Sequence, residues 1–140
     1  MGAHFADINN DSYLDLLVLG WDKNVQSYLM LNNNGESFLN ISTTSGFDNY
    51  HGVDLALIDY NHDEFIDVIT GGNQWSEGNT IAILKNNGDL TFNNIVSESG
   101  IVEDDISRYF SVSDFNNDGR VDVLLTSYNK PIKLYKNNLD

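Results

Sequence analysis

Asp7-Ile-Asn9-Asn-Asp11-Ser-Tyr13-Leu-Asp15 is written twice more along the chain. It returns as Asp59-Tyr-Asn61-His-Asp63-Glu-Phe65-Ile-Asp67 and as Asp114-Phe-Asn116-Asn-Asp118-Gly-Arg120-Val-Asp122. Each copy reads D-x-N-x-D-x-x-x-D, and the copies begin at residues 7, 59 and 114. Oxygen side chains at positions 1, 3, 5 and 9 of a tight loop can converge on one hard cation. The backbone carbonyl of position 7 (Tyr13, Phe65 or Arg120) and water would complete the six to eight oxygens that calcium takes. Recurrence at a fixed long spacing also marks a repeat architecture.

The segments around the loops align as well. Before each comes a short alternating stretch, Ala3–Ala6, Leu55–Ile58 and Phe110–Ser113. Phe5, Leu57 and Val112 fall on one face, and His4, Ala56 and Ser111 on the other. That pattern fits an inner strand whose second face has little room. After each loop comes an apolar run, Leu16–Leu19, Val68–Ile69 and Val123–Leu125, of the kind buried on both faces. A third strand is expected at Val25–Leu31, Thr80–Leu84 and Ile132–Tyr135. In the first two units it enters a turn, Asn32-Asn-Asn-Gly35 and Asn86-Asn-Gly88, where Asn and Gly accept positive φ. A fourth strand follows around Phe38–Ile41 and Phe92–Val96, then Ser45-Gly-Phe47 and Ser99-Gly-Ile101. No segment carries a helical period. The expectation is an all-β chain, a β-propeller segment of about three four-stranded antiparallel blades. The blades would be 1–47, 48–101 and 102–140, the third lacking its last strand.

Composition sharpens the reading. Asp and Glu number 21 against 7 Lys and Arg, a net charge of −14, which disfavours nucleic acid and anionic membrane as partners. Nine of those acids lie in the three loops, so bound divalent cations would relieve much of the self-repulsion. With no cysteine, disulfides and thiolate metal sites are excluded. No apolar run has the length of a membrane span. Met1-Gly-Ala-His shows no basic-then-apolar leader, which reads as a mature segment or expressed fragment. A weak, accessible oxygen site suits the millimolar calcium outside cells, so the expected location is extracellular, periplasmic or cell-surface.

The D-x-N-x-D-x-x-x-D hairpin, the N-N-G-x-x-x-F turn at Asn86–Phe92 and the trailing Ser99-Gly-Ile101 resemble FG-GAP/VCBS repeats. Such repeats build the integrin α-chain head and many secreted bacterial propellers. The resemblance covers nearly the whole chain and implies three structural calcium sites in a protein of adhesion or ligand recognition. Position 6 of the loop is often glycine in that family; Gly119 keeps it, whereas Ser12 and Glu64 do not. Family rings hold about seven blades, so the resemblance implies further blades, or copies of this chain, as partners.

Competing readings weigh less. Asx-turn chemistry alone could account for one loop, but not easily for three with the same oxygen positions. An EF-hand would need a bidentate Glu at position 12, where Val18, Thr70 and Leu125 stand, and helices on either side. Magnesium prefers a stricter octahedron with several waters. Trp21, Trp75 and Tyr128 occupy equivalent connections beside Asn24, Asn73, Gln74 and Asn129. They are expected to pack between blades, with a protein or glycan ligand as the sharper alternative. No nucleophile–base pair, zinc cluster or phosphate loop occurs, and His4, His51 and His62 fall in unrelated places, so no enzyme is expected. Lys23, Arg120 and Lys130 are the thin candidates for a lyase-like base. The alternatives to adhesion are a self-assembling ring or filament subunit and an accessory part of a carbohydrate-active enzyme.

Overall fold

A computed structural model describes residues 2–72, 81–101, 107–127 and 130–139. It contains three antiparallel sheets of four, four and three strands, each a sequential meander. The first sheet is β1 (Ala3–Ala6), β2 (Asp15–Val18), β3 (Tyr28–Asn33) and β4 (Ser37–Asn40). A single helical turn, α1 (Ser42–Ser45), and a 3₁₀ turn at Phe47–Asn49 follow. The second sheet is β5 (Asp54–Ile58), β6 (Asp67–Gly71), β7 (Ile81–Asn86) and β8 (Phe92–Asn94). The third is β9 (Ser107–Ser113), β10 (Asp122–Ser127) and β11 (Lys133–Tyr135). The chain is therefore all-β and built of propeller-like blades, with the third sheet three-stranded among the described residues.

The three loops join the first and second strands of each sheet. Alternation explains how the sheets stack. Phe5, Leu16 and Met30 are in register on one face of the first sheet, and His4, Leu17 and Leu29 on the other. Leu17, Leu19 and Leu29 face the second sheet's Leu55, Val68, Ala82 and Leu84 in one core, which Ile41 and Phe47 close. The opposite face of the second sheet carries Ala56, Ile69, Ile81 and Ile83 into another core with Val123 of the third. With neighbours on both sides, β6 is buried at every residue, as its unbroken apolar run anticipated. The first strands lie side by side, β1 near β5 and β5 near β9, which places them innermost. The small Ala56 is buried against the third sheet, so crowding between blades limits its size.

Polar bonds also tie one blade to the next. Gly52 N–H donates to Gly20 O at 2.8 Å, and a Cβ on Gly52 would meet Gly71 O at 2.1 Å, which restricts that site to glycine. More regular is the asparagine at or just past the end of each third strand, Asn32, Asn86 and Asn137. Asn86, 1% exposed, donates its Nδ2 to Ile8 O of the first loop at 2.8 Å and to Ile66 O at 3.2 Å. Asn137 makes the same reach to Tyr60 O of the second loop at 2.7 Å. Ile8 and Tyr60 both occupy loop position 2, so the two interfaces repeat one geometry. Asn32 of the first unit donates to Leu14 O at 3.0 Å, the counterpart of Ile66.

The hairpins after these asparagines differ. Asn34 and Gly35 both have positive φ (52° and 80°), as expected of an Asn-Gly turn, whereas the second unit places Gly88 and Leu90 there (76° and 69°). A Cβ on Gly88 would lie 2.7 Å from Phe65 Cζ, so the position 7 ring packs directly on that glycine. Asn86→Ala would strand one buried and one half-buried carbonyl together with Gly88 N–H, and should lower unfolding free energy by about 2–3 kcal/mol. Asn32→Ala, which loses two exposed bonds, one to Leu14 O and one from Gly35 N–H, should cost less than half of that in urea melts.

Candidate functional site

Each loop is held by the same six hydrogen bonds. The position 1 aspartate accepts the N–H of positions 5 and 6 on its two oxygens. These measure 3.0 and 2.8 Å at Asp7, 3.2 and 3.0 Å at Asp59, and 3.1 and 2.7 Å at Asp114. The position 5 aspartate accepts the N–H of position 7 in an Asx turn, at 2.9 Å for Asp11 and 3.0 Å for Asp63 and Asp118. Its other oxygen takes the side-chain amide of position 3, Asn9, Asn61 or Asn116. Position 9 is the buried member: Asp15 and Asp67 are 0% exposed and Asp122 is 1%. One of its oxygens accepts the N–H of position 2, at Ile8, Tyr60 and Phe115. The other accepts the N–H of the asparagine ending the third strand, at 2.8 Å from Asn32, 2.7 Å from Asn86 and 2.8 Å from Asn137.

Two turns to the left make this possible. Position 6 has positive φ in every copy, at Ser12 (73°), Glu64 (70°) and Gly119 (87°). Position 4 does too, at Asn10, His62 and Asn117, which the sequence reading did not anticipate. Asn tolerates that conformation better than most residues, and two of the three copies use it.

The structure thus brings positions 1, 3 and 5 together at the loop mouth and turns position 9 inward to the backbone. Among the described residues, no group of three or more His, Asp or Glu is gathered as a metal cluster. The bonds present are the Asx-type bonds of an ordinary turn, and the carboxylate oxygens keep a further lone pair except Asp118 Oδ2, which already meets Asn116, Arg120 and Lys136. Loop one carries an additional signal. Asn9 Oδ1 is buried without a hydrogen-bond partner, whereas Asn61 and Asn116 use the same atom to accept from Asp63 and Asp118 N–H. A buried, unsatisfied carbonyl costs about 1–3 kcal/mol, and a cation beside it would relieve that cost.

Electrostatics separate the loops further. Burial raises the Asp67 carboxyl to about 6, against the bonds from Asn86 and Tyr60, with Asp63 and Asp59 adding like charge. Burial likewise raises Asp15, to which Asp11 and Asp7 contribute. Asp118 differs. Burial pushes its carboxyl up, but Lys136, the Arg120 N–H, Asn116 and the Arg120 charge together hold it down at about 2. Lys136 Nζ and Arg120 Nη2 both stand 3.0 Å from Asp118 Oδ2. In the second loop Lys85 Nζ is 3.8 Å from Asp63, and in the first Leu31 holds the corresponding place. Cationic side chains therefore already serve the third loop.

The remaining candidates are scattered. Trp21 is 41% exposed rather than packed between blades, and Trp75 and Tyr128 lie outside the described residues, as do Asn73, Gln74 and Asn129. His62 serves the left-handed loop turn, and His51 Nδ1 is 3.4 Å from Ser27 Oγ. In metal-free solution Asp67 binds its proton more readily folded than unfolded. Its contribution is therefore complete below about pH 4, its ordinary range, and fades as pH rises through 6. Melting temperature in chelator should consequently rise on going from pH 7 to pH 5, and Asp67→Asn should flatten that slope. The same change leaves one of two N–H groups facing an amide NH2, and so should destabilise the fold by about 1–3 kcal/mol.

The family comparison follows these boundaries. The model of the FG-GAP-like repeat matches residues 7–70 and 59–125. The matches start on the first aspartates of loops one and two, and each spans two consecutive loops. No curated protein matches the chain. Position-for-position repetition of the loop, the meander and the family match agree: the chain belongs to the FG-GAP-like repeat family.

Proposed function

We propose that the chain is a calcium-bearing propeller segment of an extracellular adhesion or ligand-recognition protein, with calcium in a structural role. FG-GAP repeats are consistent with such a segment and typically occur in extracellular or surface proteins. No helix among the described residues is long and apolar enough to cross a membrane. The observation that carries the metal reading is the triple D-x-N-x-D-x-x-x-D loop with one shared geometry, to which the orphaned Asn9 Oδ1 adds weight. The ligands would be Asp7, Asn9, Asp11 and Asp15, with Tyr13 O, and their counterparts in the other two loops. Asp15, Asp67 and Asp122 would act partly by fixing the loop backbone, since both their oxygens already accept N–H bonds. Calcium here would hold shape, and no reaction is assigned to it; the chain is read as a binding module and not as an enzyme.

Calcium at about 10⁻⁴–10⁻³ M affinity is expected, so a hundredfold excess over Kd should add about 2.7 kcal/mol per independent site. A melting temperature that does not move between excess calcium and excess chelator would overturn the reading. Two opposing effects rank the loops. Left-handed backbone at a non-glycine position 6 costs about 1–2 kcal/mol, which favours the third loop with Gly119. Lys136 and Arg120 on Asp118 oppose that advantage. Glu64→Gly should therefore tighten the second site, and Lys136→Leu should tighten the third, each visible as a separate step in calorimetric titration.

A second reading, assembly of copies head to tail, is favoured by where exposed apolar residues lie. Phe5 (59%) and Phe38 (45%) are on the first sheet, and Tyr109 (61%) and Leu134 (50%) on the third. Phe5 and Phe38 occupy the places where Leu57 and Phe92 pack the second unit onto the first. Light scattering of the calcium-treated chain should show oligomers that grow with concentration; a monomer at high concentration would remove this reading. The glycan alternative retains Trp21 as its exposed ring.

A further inference from the structure

The residue just before each third-strand asparagine is Leu31, Lys85 or Lys136, and it decides how much positive charge reaches the loop of its own blade. In the third unit Lys136 Nζ lies 3.0 Å from Asp118 Oδ2. Arg120 Nη2 meets the same oxygen at 3.0 Å, while its Nε donates to Asn137 O at 3.1 Å, so the guanidinium is held at two points. With the Asn116 amide also at 3.0 Å, that oxygen carries three donors and two positive charges. In the second unit Lys85 Nζ is 3.8 Å from Asp63 Oδ2, which takes the Asn61 amide at 2.8 Å. In the first, Leu31 lines a hollow beside Asn9 and Asp11, and Asp11 Oδ2 takes the Asn9 amide at 2.9 Å. There Asn9 Oδ1 is left without a partner. Positive charge at the loop mouth therefore rises from the first unit to the third.

We infer that Lys136 and Arg120 are the third loop's own counter-ions, doing there what a divalent cation would do in the first loop. In both cases positive charge close to the carboxylates offsets the repulsion between the aspartates at positions 1 and 5. A tethered ammonium does so without any ligand, and calcium reaches the third loop only by displacing it from Asp118. The need for metal then falls along the chain, the first loop being the most dependent. The part of this that concerns the first two loops rests on the calcium reading; the counter-ion role in the third does not.

The test follows amide exchange by NMR in the isotope-labelled full chain, first in excess chelator and then in calcium. The Asp118 and Gly119 N–H groups are both held on Asp114. In chelator, Lys136→Met should speed their exchange about two- to fivefold, the worth of a partly exposed ion pair. The N–H groups of Asp11 and Ser12 should not change. Because the variant keeps Gly119, the comparison is independent of backbone strain at position 6. Calcium should then slow exchange more in the first loop of the wild-type chain than in the third, and Lys136→Met should narrow that gap. Leu31→Lys, the reverse change, should protect the first loop in chelator and weaken its response to calcium. Third-loop exchange unaltered by Lys136→Met in chelator, or a wild-type third loop that answers calcium as strongly as the first, would overturn the counter-ion role. If calcium slows no loop while Lys136→Met still speeds the third, the calcium reading fails and the counter-ions stand.

Discussion

A buried carboxylate with two backbone N–H groups on it is the interaction from which the rest of each blade follows. Asp15, Asp67 and Asp122 open the second strand, yet each grips the start of its own loop and the end of the third strand. One side chain therefore sets the spacing of three strands. Charged acceptors make hydrogen bonds roughly twice as strong as neutral ones, which offsets the cost of taking the charge out of water. The offset is incomplete at Asp67, whose carboxyl stays near 6. Some local tension is the consequence of making an ion the centre of a core.

Because that carboxylate fixes the asparagine backbone at the end of the third strand, it also aims the asparagine side chain. Asn86 and Asn137 are thereby presented to the loop of the preceding blade. Loop geometry, sheet spacing and the contact between blades are thus linked through two residues per repeat. The apolar cores supply most of the burial, but Leu, Ile and Val cannot by themselves fix a register. Here the polar pairs do so.

Strong periodicity made the strands readable from the residues alone. β1 falls where the alternation of Ala3–Ala6 places it, and the apolar runs after each loop are β2, β6 and β10. β3 starts later than the expected Val25, whose β-branched side chain suits a strand. Val25 sits instead in a turn where its N–H reaches Asp22 O at 3.0 Å, so β3 begins at Tyr28. The helical turn at Ser42–Ser45 is too short to show a period. Its signals are local: Asn40 Oδ1 takes Ser42 N–H at 3.0 Å, and Gly46 ends the turn with φ of 77°. Within the site, spacing identified the loop residues, but not that position 9 would face the backbone. Nor did it show that Asn32, Asn86 and Asn137 do more than form turns, because a bond to a residue 78 positions away leaves no local trace. The Lys136 charge at Asp118 leaves no local trace for the same reason: it is distant in sequence and reaches the loop only once the sheet has formed.

The asparagine bonds have a direction. Each is donated by a later unit to a carbonyl that an earlier unit has already shaped. A chain leaving the ribosome amino end first, at about 5–20 residues per second, exposes the acceptor well before its donor exists. The gap between Ile8 and Asn86 alone corresponds to several seconds of synthesis at that rate. During that interval one face of the first sheet, with Leu17 and Leu29 upon it, waits uncovered. Synthesis in that order leaves such a face uncovered once per blade, until the next unit is made.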